Sequence, residues 1–62
     1  MKTIGERVKA LREKLGVTQA EVGRLMGFSR NYISLVEGGR EPAHRFIKAL
    51  ELLEQRDRKS VV

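Results

Sequence analysis

The sequence predicts an all-α fold, a compact bundle of four short helices. Apolar residues recur every three or four positions in four separate segments, which is the spacing of one buried helix face. A residue type that favours the start of a helix precedes or opens each segment, and glycine follows the first three. No segment alternates convincingly between apolar and polar residues as a strand does, apart from a weak alternation over residues 59–62.

The composition describes one small, basic domain. The 62 residues suffice for a single domain with a marginal core. Thirteen Lys and Arg against eight Asp and Glu give a net charge of +5, which favours a polyanionic partner such as nucleic acid, although an ordinary charged surface gives the same balance. No apolar run approaches the roughly 20 residues of a membrane span, so we expect no membrane partner.

The residue types that most catalytic and metal sites need are missing or scattered. The chain has no cysteine, which excludes disulfides and thiolate metal sites, and its single histidine, His44, cannot build a zinc or iron site alone. The carboxylates are explained as helix caps and surface charge pairs, and no glycine loop is suited to cradling a phosphate. We therefore expect no enzyme, no cofactor and no metal.

The first helix is predicted over residues 4–15. The segment Thr3-Ile4-Gly5-Glu6 has the form of a capping box, and Gly16 supplies a stop. Its apolar positions are Ile4, Val8, Leu11 and Leu15.

The second and third helices are predicted over residues 19–26 and 30–37. A second capping box, Thr18 to Glu21, opens the second helix, and Gly27 ends it. Ser29 is the candidate cap of the third helix, which ends at a pair of glycines. The apolar positions are Val22, Leu25 and Met26 in the second helix, and Ile33 and Val36 in the third.

The fourth helix is predicted over residues 42–55, with Pro42 at its first position. Residues 56–62 show no helical period, so we expect the domain to span residues 1–55 and a tail, residues 56–62, to fray or to join a dimer contact. The apolar stripe of this helix is Ala43, Phe46, Ile47, Leu50 and Leu53.

The connection between the second and third helices is only about three residues long, which predicts a steep crossing. A steep crossing needs a small residue at the contact, and Gly23 is suitably placed although glycine costs about 0.8–1 kcal/mol in a helix interior. The third helix then turns Ile33 and Val36 inward and leaves polar side chains outside. Arginine can fork onto guanine, asparagine can pair with adenine, and leucine can touch a thymine methyl in the major groove. Periodicity alone does not distinguish this surface from a solvated one. The outward residues are Arg30, Asn31, Ser34 and Leu35.

The segment from Thr18 to Gly39 resembles the helix-turn-helix of the phage repressor and Cro superfamily, also called the Xre family. The resemblance extends from IGERVKALREKLGVTQ to REPAHRFIKALELL and covers most of the chain. It implies a lambda-repressor-like fold. The positions that carry it are Gln19 at the start of the second helix, Gly23, Gly27 in the turn, the inward Ile33 and Val36, and Glu37 before the glycines.

The resemblance assigns roles to individual residues. Its base-reading positions are Arg30, Asn31, Ser34 and Leu35. Its phosphate-contacting positions are Thr18, Gln19, Tyr32, Arg40, His44 and Arg45, although an ordinary surface histidine is the favoured interpretation of His44. Members of the family often pair an arginine late in the first helix with the glutamate that ends the recognition helix, here Arg12 and Glu37. Leu35 departs from the pattern, because a polar or basic residue is commoner there.

The implied function is that of a sequence-specific, double-stranded DNA-binding transcriptional regulator, a repressor that acts as a homodimer on a two-fold symmetric operator. The resemblance also implies a cytoplasmic protein of bacterial or phage origin. A second interpretation is an antitoxin-type interaction module that holds a toxin protein and binds DNA secondarily, since the loop after Gly39 is short. We expect Leu52, opposite the apolar stripe, to form the dimer contact, with Ala49, Val61 and Val62 beside it.

Overall fold

The computed structural model describes residues 2–59 and contains four α-helices within them. They are α1 (Ile4–Leu15), α2 (Gln19–Met26), α3 (Arg30–Glu37) and α4 (His44–Lys59). The predicted all-α bundle is confirmed, and the predicted bounds of the first three helices match those observed. No strand occurs among the described residues.

Side-chain caps explain where the first three helices begin. The Thr3 hydroxyl accepts a hydrogen bond from the Glu6 N–H at 3.2 Å, and the Glu6 carboxylate accepts one from the Thr3 N–H at 2.9 Å, so the first capping box is complete. The Thr18 hydroxyl accepts from the Glu21 N–H, and the Ser29 hydroxyl accepts from the Tyr32 N–H, both at 3.1 Å. Each bond satisfies a backbone donor that the helix itself leaves without a partner.

The predicted bounds of α4 are wrong at both ends. The helix begins at His44, so Pro42 and Ala43 precede it, and Ala43 is exposed instead of contributing to the core. The helix continues to Lys59, so the expected fraying is wrong for residues 56–59, while residues 60–62 lie outside the described residues.

Charge pairs with α1 explain the longer helix. Arg7 donates to Glu54 through Nε at 3.2 Å and through a terminal nitrogen at 2.5 Å, and this hydrogen bonding raises the pKa of Arg7. One turn further along α4, Asp57 Oδ2 lies 2.7 Å from Lys14 Nζ. Because polar pairs and not apolar residues attach the last turns, apolar periodicity ends before the helix does.

The core lies where the four helices meet. Nine of the fourteen predicted apolar positions are buried there, and Ile4 and Leu15 are only partly buried against them. Leu25 is an exception, since 52% of it is exposed although helical spacing placed it with its inward neighbours. Ile47 is only partly buried. The buried apolar residues are Val8, Leu11, Val22, Met26, Ile33, Val36, Phe46, Leu50 and Leu53.

Two glycines permit close helix packing around α3. A Cβ on Gly23 would lie 2.6 Å from the Phe28 carbonyl oxygen, so the expected small residue does stand at the α2–α3 crossing. A Cβ on Gly5 would overlap the Val36 carbonyl oxygen, a contact that the sequence did not indicate. Gly27 ends α2 in the left-handed region, with φ of 82°, and so allows the sharp turn into α3.

Candidate nucleic-acid interface

The candidate recognition surface is the outer side of α3. Ile33 and Val36 are fully buried and fix the inner side of this helix against the core. The opposite side then faces solvent, and all of its predicted base-reading residues are exposed there. The structure thus brings them together on one side of one helix, where the helical period places them. They are Arg30, Asn31, Ser34 and Leu35.

A polar network holds the end of α3 in place. Arg12 of α1 donates to both carboxylate oxygens of Glu37, at 2.9 and 3.2 Å, and Gln19 of α2 donates to the same carboxylate at 3.2 Å. The side chains of Arg12 and Glu37 are only 20% and 9% exposed, so water screens the pair weakly. Hydrogen bonding to Glu37 raises the pKa of Arg12. Three helices therefore meet at one carboxylate. The Gln19 amide uses one N–H in this bond and has a second N–H to donate.

An aromatic cluster holds the other end of α3. The rings of Phe28, Tyr32 and Phe46 lie with centroids 5.0 to 5.3 Å apart. Such pairs add about 0.5–1.5 kcal/mol each beyond their burial. Phe28 lies in the turn between α2 and α3, and sequence reasoning gave it no role. A large apolar side chain in a turn of three residues was the available signal.

Tyr32 connects α3 to the start of α4. Its hydroxyl accepts a hydrogen bond from the Ala43 N–H at 2.9 Å. A hydroxyl that accepts one bond still has its own proton to donate. The resemblance implied a phosphate contact for Tyr32 but not the bond from Ala43, which limits the directions in which the hydroxyl proton can be offered.

Basic side chains surround the exposed side of α3. Arg30, Arg40, His44 and Arg45 are all exposed. The guanidinium of Arg45 lies 5.7 Å from the centre of the Phe28 ring, a cation–π distance. Tyr32 and Arg45 also line an open depression of about 450 Å³ at the start of α4. The structure therefore places cations and a hydroxyl donor beside the N-terminus of a helix, where anions are favoured.

The predicted dimer residues lie on a different surface, which we call the leucine groove. Leu52 is 62% exposed and Ala49 is partly buried, and both line a groove between α2 and α4. Leu25 lines the same groove, so its exposure adds to this surface. Val61 and Val62 lie outside the described residues. The groove is lined by Leu25, Met26, Ala49, Leu52, Leu53, Gln55 and Arg56.

Two further properties concern the described residues as a set. No group of three or more His, Cys, Asp or Glu among residues 2–59 is arranged to hold a metal ion. In the same part of the chain, no helix has the length and apolar content needed to cross a membrane.

Comparison with known proteins agrees with this geometry. The family model described as a helix-turn-helix domain matches residues 3–58. That range includes all four helices except the last residue of α4. Searches of curated proteins and of solved structures give no match.

Proposed function

The chain belongs to the helix-turn-helix domain family, and we propose that it is a sequence-specific, double-stranded DNA-binding transcriptional regulator that inserts α3 into the major groove. One observation carries the proposal. The inner side of α3 is fully buried, whereas its outer side presents a guanidinium, an amide and a hydroxyl together. A helix that is fixed on one side and rich in hydrogen-bonding groups on the other suits the donor and acceptor edges of base pairs.

Arg30 and Asn31 are the principal base-reading residues in this proposal. They occupy the first turn of α3, and in a helix-turn-helix the N-terminal part of the recognition helix contacts base edges. Arg30 would form two hydrogen bonds to a guanine, and Asn31 would form two to an adenine. Ser34, one turn later, would donate or accept at a neighbouring base pair.

Phosphate contacts orient the helix in the groove. Thr18 and Tyr32 each accept a backbone hydrogen bond and retain a proton to donate, while Gln19 retains one amide N–H. We assign further phosphate contacts to the exposed side chains of Arg40, in the loop after α3, and of His44 and Arg45, in the first turn of α4. The net charge of +5 supports this assignment, because neutralised phosphates supply most of the nonspecific affinity for DNA.

We propose that the regulator acts as a homodimer and represses by occupying a promoter. One recognition helix reads only a few base pairs. A two-fold pair doubles the site and separates the two helices by about 34 Å, one turn of DNA. Bound protein would then exclude polymerase from the promoter.

The leucine groove is the proposed dimer contact, with Leu52 and Ala49 at its centre. If the α4 helices crossed antiparallel at Leu52, Lys48 of one copy would lie beside Arg56 of the other, and like charges would repel. We therefore place Leu52 of each copy in the groove of its mate, against Leu25. We expect so few side chains to bury less than the roughly 800 Å² per partner of a standard interface, and therefore propose that the dimer is weak in solution and completed on DNA.

Selection from a pool of random double-stranded DNA tests the proposal. The expected result is enrichment of one two-fold symmetric sequence whose half-sites are centred about one helical turn apart. Enrichment of a single half-site would support sequence-specific DNA binding but contradict the proposed homodimer. A pool that stays random after repeated selection would reject specific DNA binding and leave the antitoxin-type interaction module as the interpretation to test.

A further inference from the structure

Leu35 is an apolar side chain on an otherwise polar recognition surface. It is 41% exposed, and the other outward residues of α3 are Arg30, Asn31 and Ser34. Its carbonyl oxygen accepts the Arg40 N–H at 3.0 Å, so the chain turns back beside it towards a residue assigned to a phosphate. Leu35 therefore lies between the base-reading turn of α3 and the phosphate-contacting loop.

The other exposed leucines of the described residues have apolar surroundings. Leu25 and Leu52 share the leucine groove with Met26, Ala49 and Leu53. Leu35 lines none of the cavities described above. Its exposure needs no explanation in the free protein, since single exposed leucines are common. The exposure of Leu35 becomes important when α3 enters the major groove, because the side chain is then removed from contact with water.

The major groove offers a leucine very little. Base edges there carry donors and acceptors, and an apolar side chain that desolvates them without replacing their hydrogen bonds weakens binding. The exception is the C5-methyl group of a pyrimidine, which thymine carries and cytosine lacks unless it is methylated. Contact between Leu35 and such a methyl group removes apolar surface from water on both sides.

We propose that Leu35 is a specificity-determining residue that reads the C5-methyl group of a pyrimidine, which is thymine in unmodified DNA. The inference rests on the proposed function, because it requires α3 to lie in the major groove. Leu35 is four residues after Asn31, about 6 Å along the helix axis. With about 3.4 Å per base step, the methyl group belongs to a base pair within about two steps of the adenine assigned to Asn31.

The test uses the operator recovered from the random pool and replaces each thymine in turn by uracil, which lacks only the methyl group. At one position in each half-site, uracil should weaken binding of the parent protein roughly fourfold, the effect expected for one buried methyl. Uracil elsewhere should change affinity less than twofold. At the sensitive position, 5-methylcytosine should bind roughly fourfold tighter than cytosine, which separates the methyl group from the rest of the thymine ring.

Two variants assign the effect to this side chain. Leu35→Ala should bind the thymine operator more weakly and should no longer distinguish thymine from uracil at the sensitive position. Ser34→Ala is the matched control, since it truncates the adjacent residue on the same side of α3: it should weaken binding to thymine and uracil operators alike, because Ser34 is assigned to a neighbouring base pair, and so should keep the fourfold dependence. Circular dichroism of both variants should match the parent, because both side chains are exposed.

Three results would overturn the inference while leaving specific DNA binding intact. The first is an operator whose half-sites contain no thymine. The second is an unchanged affinity of the parent protein whichever thymine is replaced by uracil. The third is a Leu35→Ala variant that keeps the full dependence on the methyl group. A pool that yields no operator would instead reject the proposed function, and the inference with it.

Discussion

The junction between α1 and α3 is closed by packing and hydrogen bonds, whereas the junction between α2 and α4 leaves apolar side chains exposed. At the α1–α3 junction, Gly5 brings the helix backbones together, and Glu37 receives hydrogen bonds from Arg12 and Gln19. At the α2–α4 junction, Leu25 and Leu52 remain more than half exposed. The closed junction holds α3 in place, whereas the open one leaves the apolar surface that we propose as the dimer contact.

The largest effect on stability is expected at the closed junction. Arg12→Met should strand the mostly buried Glu37 carboxylate and lower the free energy of unfolding by about 3–5 kcal/mol. That is comparable with the whole stability that a core of this size supplies, so the variant should be largely unfolded at 25 °C. Urea unfolding followed by circular dichroism measures the loss.

Two companions sharpen this prediction. The double variant Arg12→Met with Glu37→Leu removes both charges and should recover much of the stability, because no charge is stranded. Lys14→Met removes a lysine that is 63% exposed, and although Asp57 is only 12% exposed, that carboxylate keeps a further interaction, so the unfolding free energy should fall by less than it does in Arg12→Met. Equal losses for Arg12→Met and Lys14→Met would show that the Glu37 network is no more than a surface pair.

Gly5→Ala should produce the next largest effect. Its methyl group would overlap the Val36 carbonyl oxygen, so α1 and α3 must move apart, and we expect a loss of about 1–3 kcal/mol in unfolding free energy. Gly38→Ala is the control. Its φ of −79° suits alanine and a Cβ there would meet nothing closer than 3.4 Å, so this variant should equal or exceed the parent's stability. A Gly5→Ala variant as stable as the parent would mean that the two helices are not in close contact.

A smaller effect depends on pH and belongs to the start of α1. Hydrogen bonds from the Thr3 backbone N–H and hydroxyl lower the pKa of Glu6 below its ordinary value of 4.5. Because the folded pKa is the lower one, this stabilisation is present above pH 4.5 and is lost as the pH falls through the folded pKa. Glu6→Gln should therefore flatten the dependence of thermal stability on pH below 4.5. Unchanged pH dependence in this variant would contradict the bond in solution.

The smallest effect on folding is expected in the leucine groove. Leu52→Lys should change the unfolding free energy by no more than about 0.5 kcal/mol, because the side chain is 62% exposed. It should nevertheless abolish cooperative binding to an operator with two half-sites while leaving single half-site binding intact. Leu52→Ala, which adds no charge, should reduce cooperativity in the same direction. Undiminished cooperativity in both variants would place the dimer contact elsewhere on the molecule.

Local bonds could be predicted from the sequence, whereas contacts between distant helices could not. The first three helices were predicted to the residue, because Thr3, Thr18 and Ser29 cap them through local bonds that depend only on neighbouring residues. The end of α4 was missed because Glu54 and Asp57 bond to a distant helix, and such pairing leaves no periodic signal. Leu25 was placed inside for the opposite reason: its spacing is inward, but no helix covers it.

Only the local part of the candidate interface was predictable from the sequence. Helical spacing sufficed to place Arg30 and Asn31 outward once Ile33 and Val36 faced the core. The bond from Ala43 to Tyr32 and the stacking of Phe28 join residues that are close only after the helices have packed. Their contribution to holding α3 required the structure.

If the outer side of α3 reads bases, titration of two variants against the selected operator will show it most directly. Arg30→Ala and Asn31→Ala should each weaken specific binding by about 1–3 kcal/mol and relax the preference at one position per half-site. Both should fold like the parent, because both side chains are exposed. If both variants bound the operator as tightly and as selectively as the parent, α3 would not be the recognition helix.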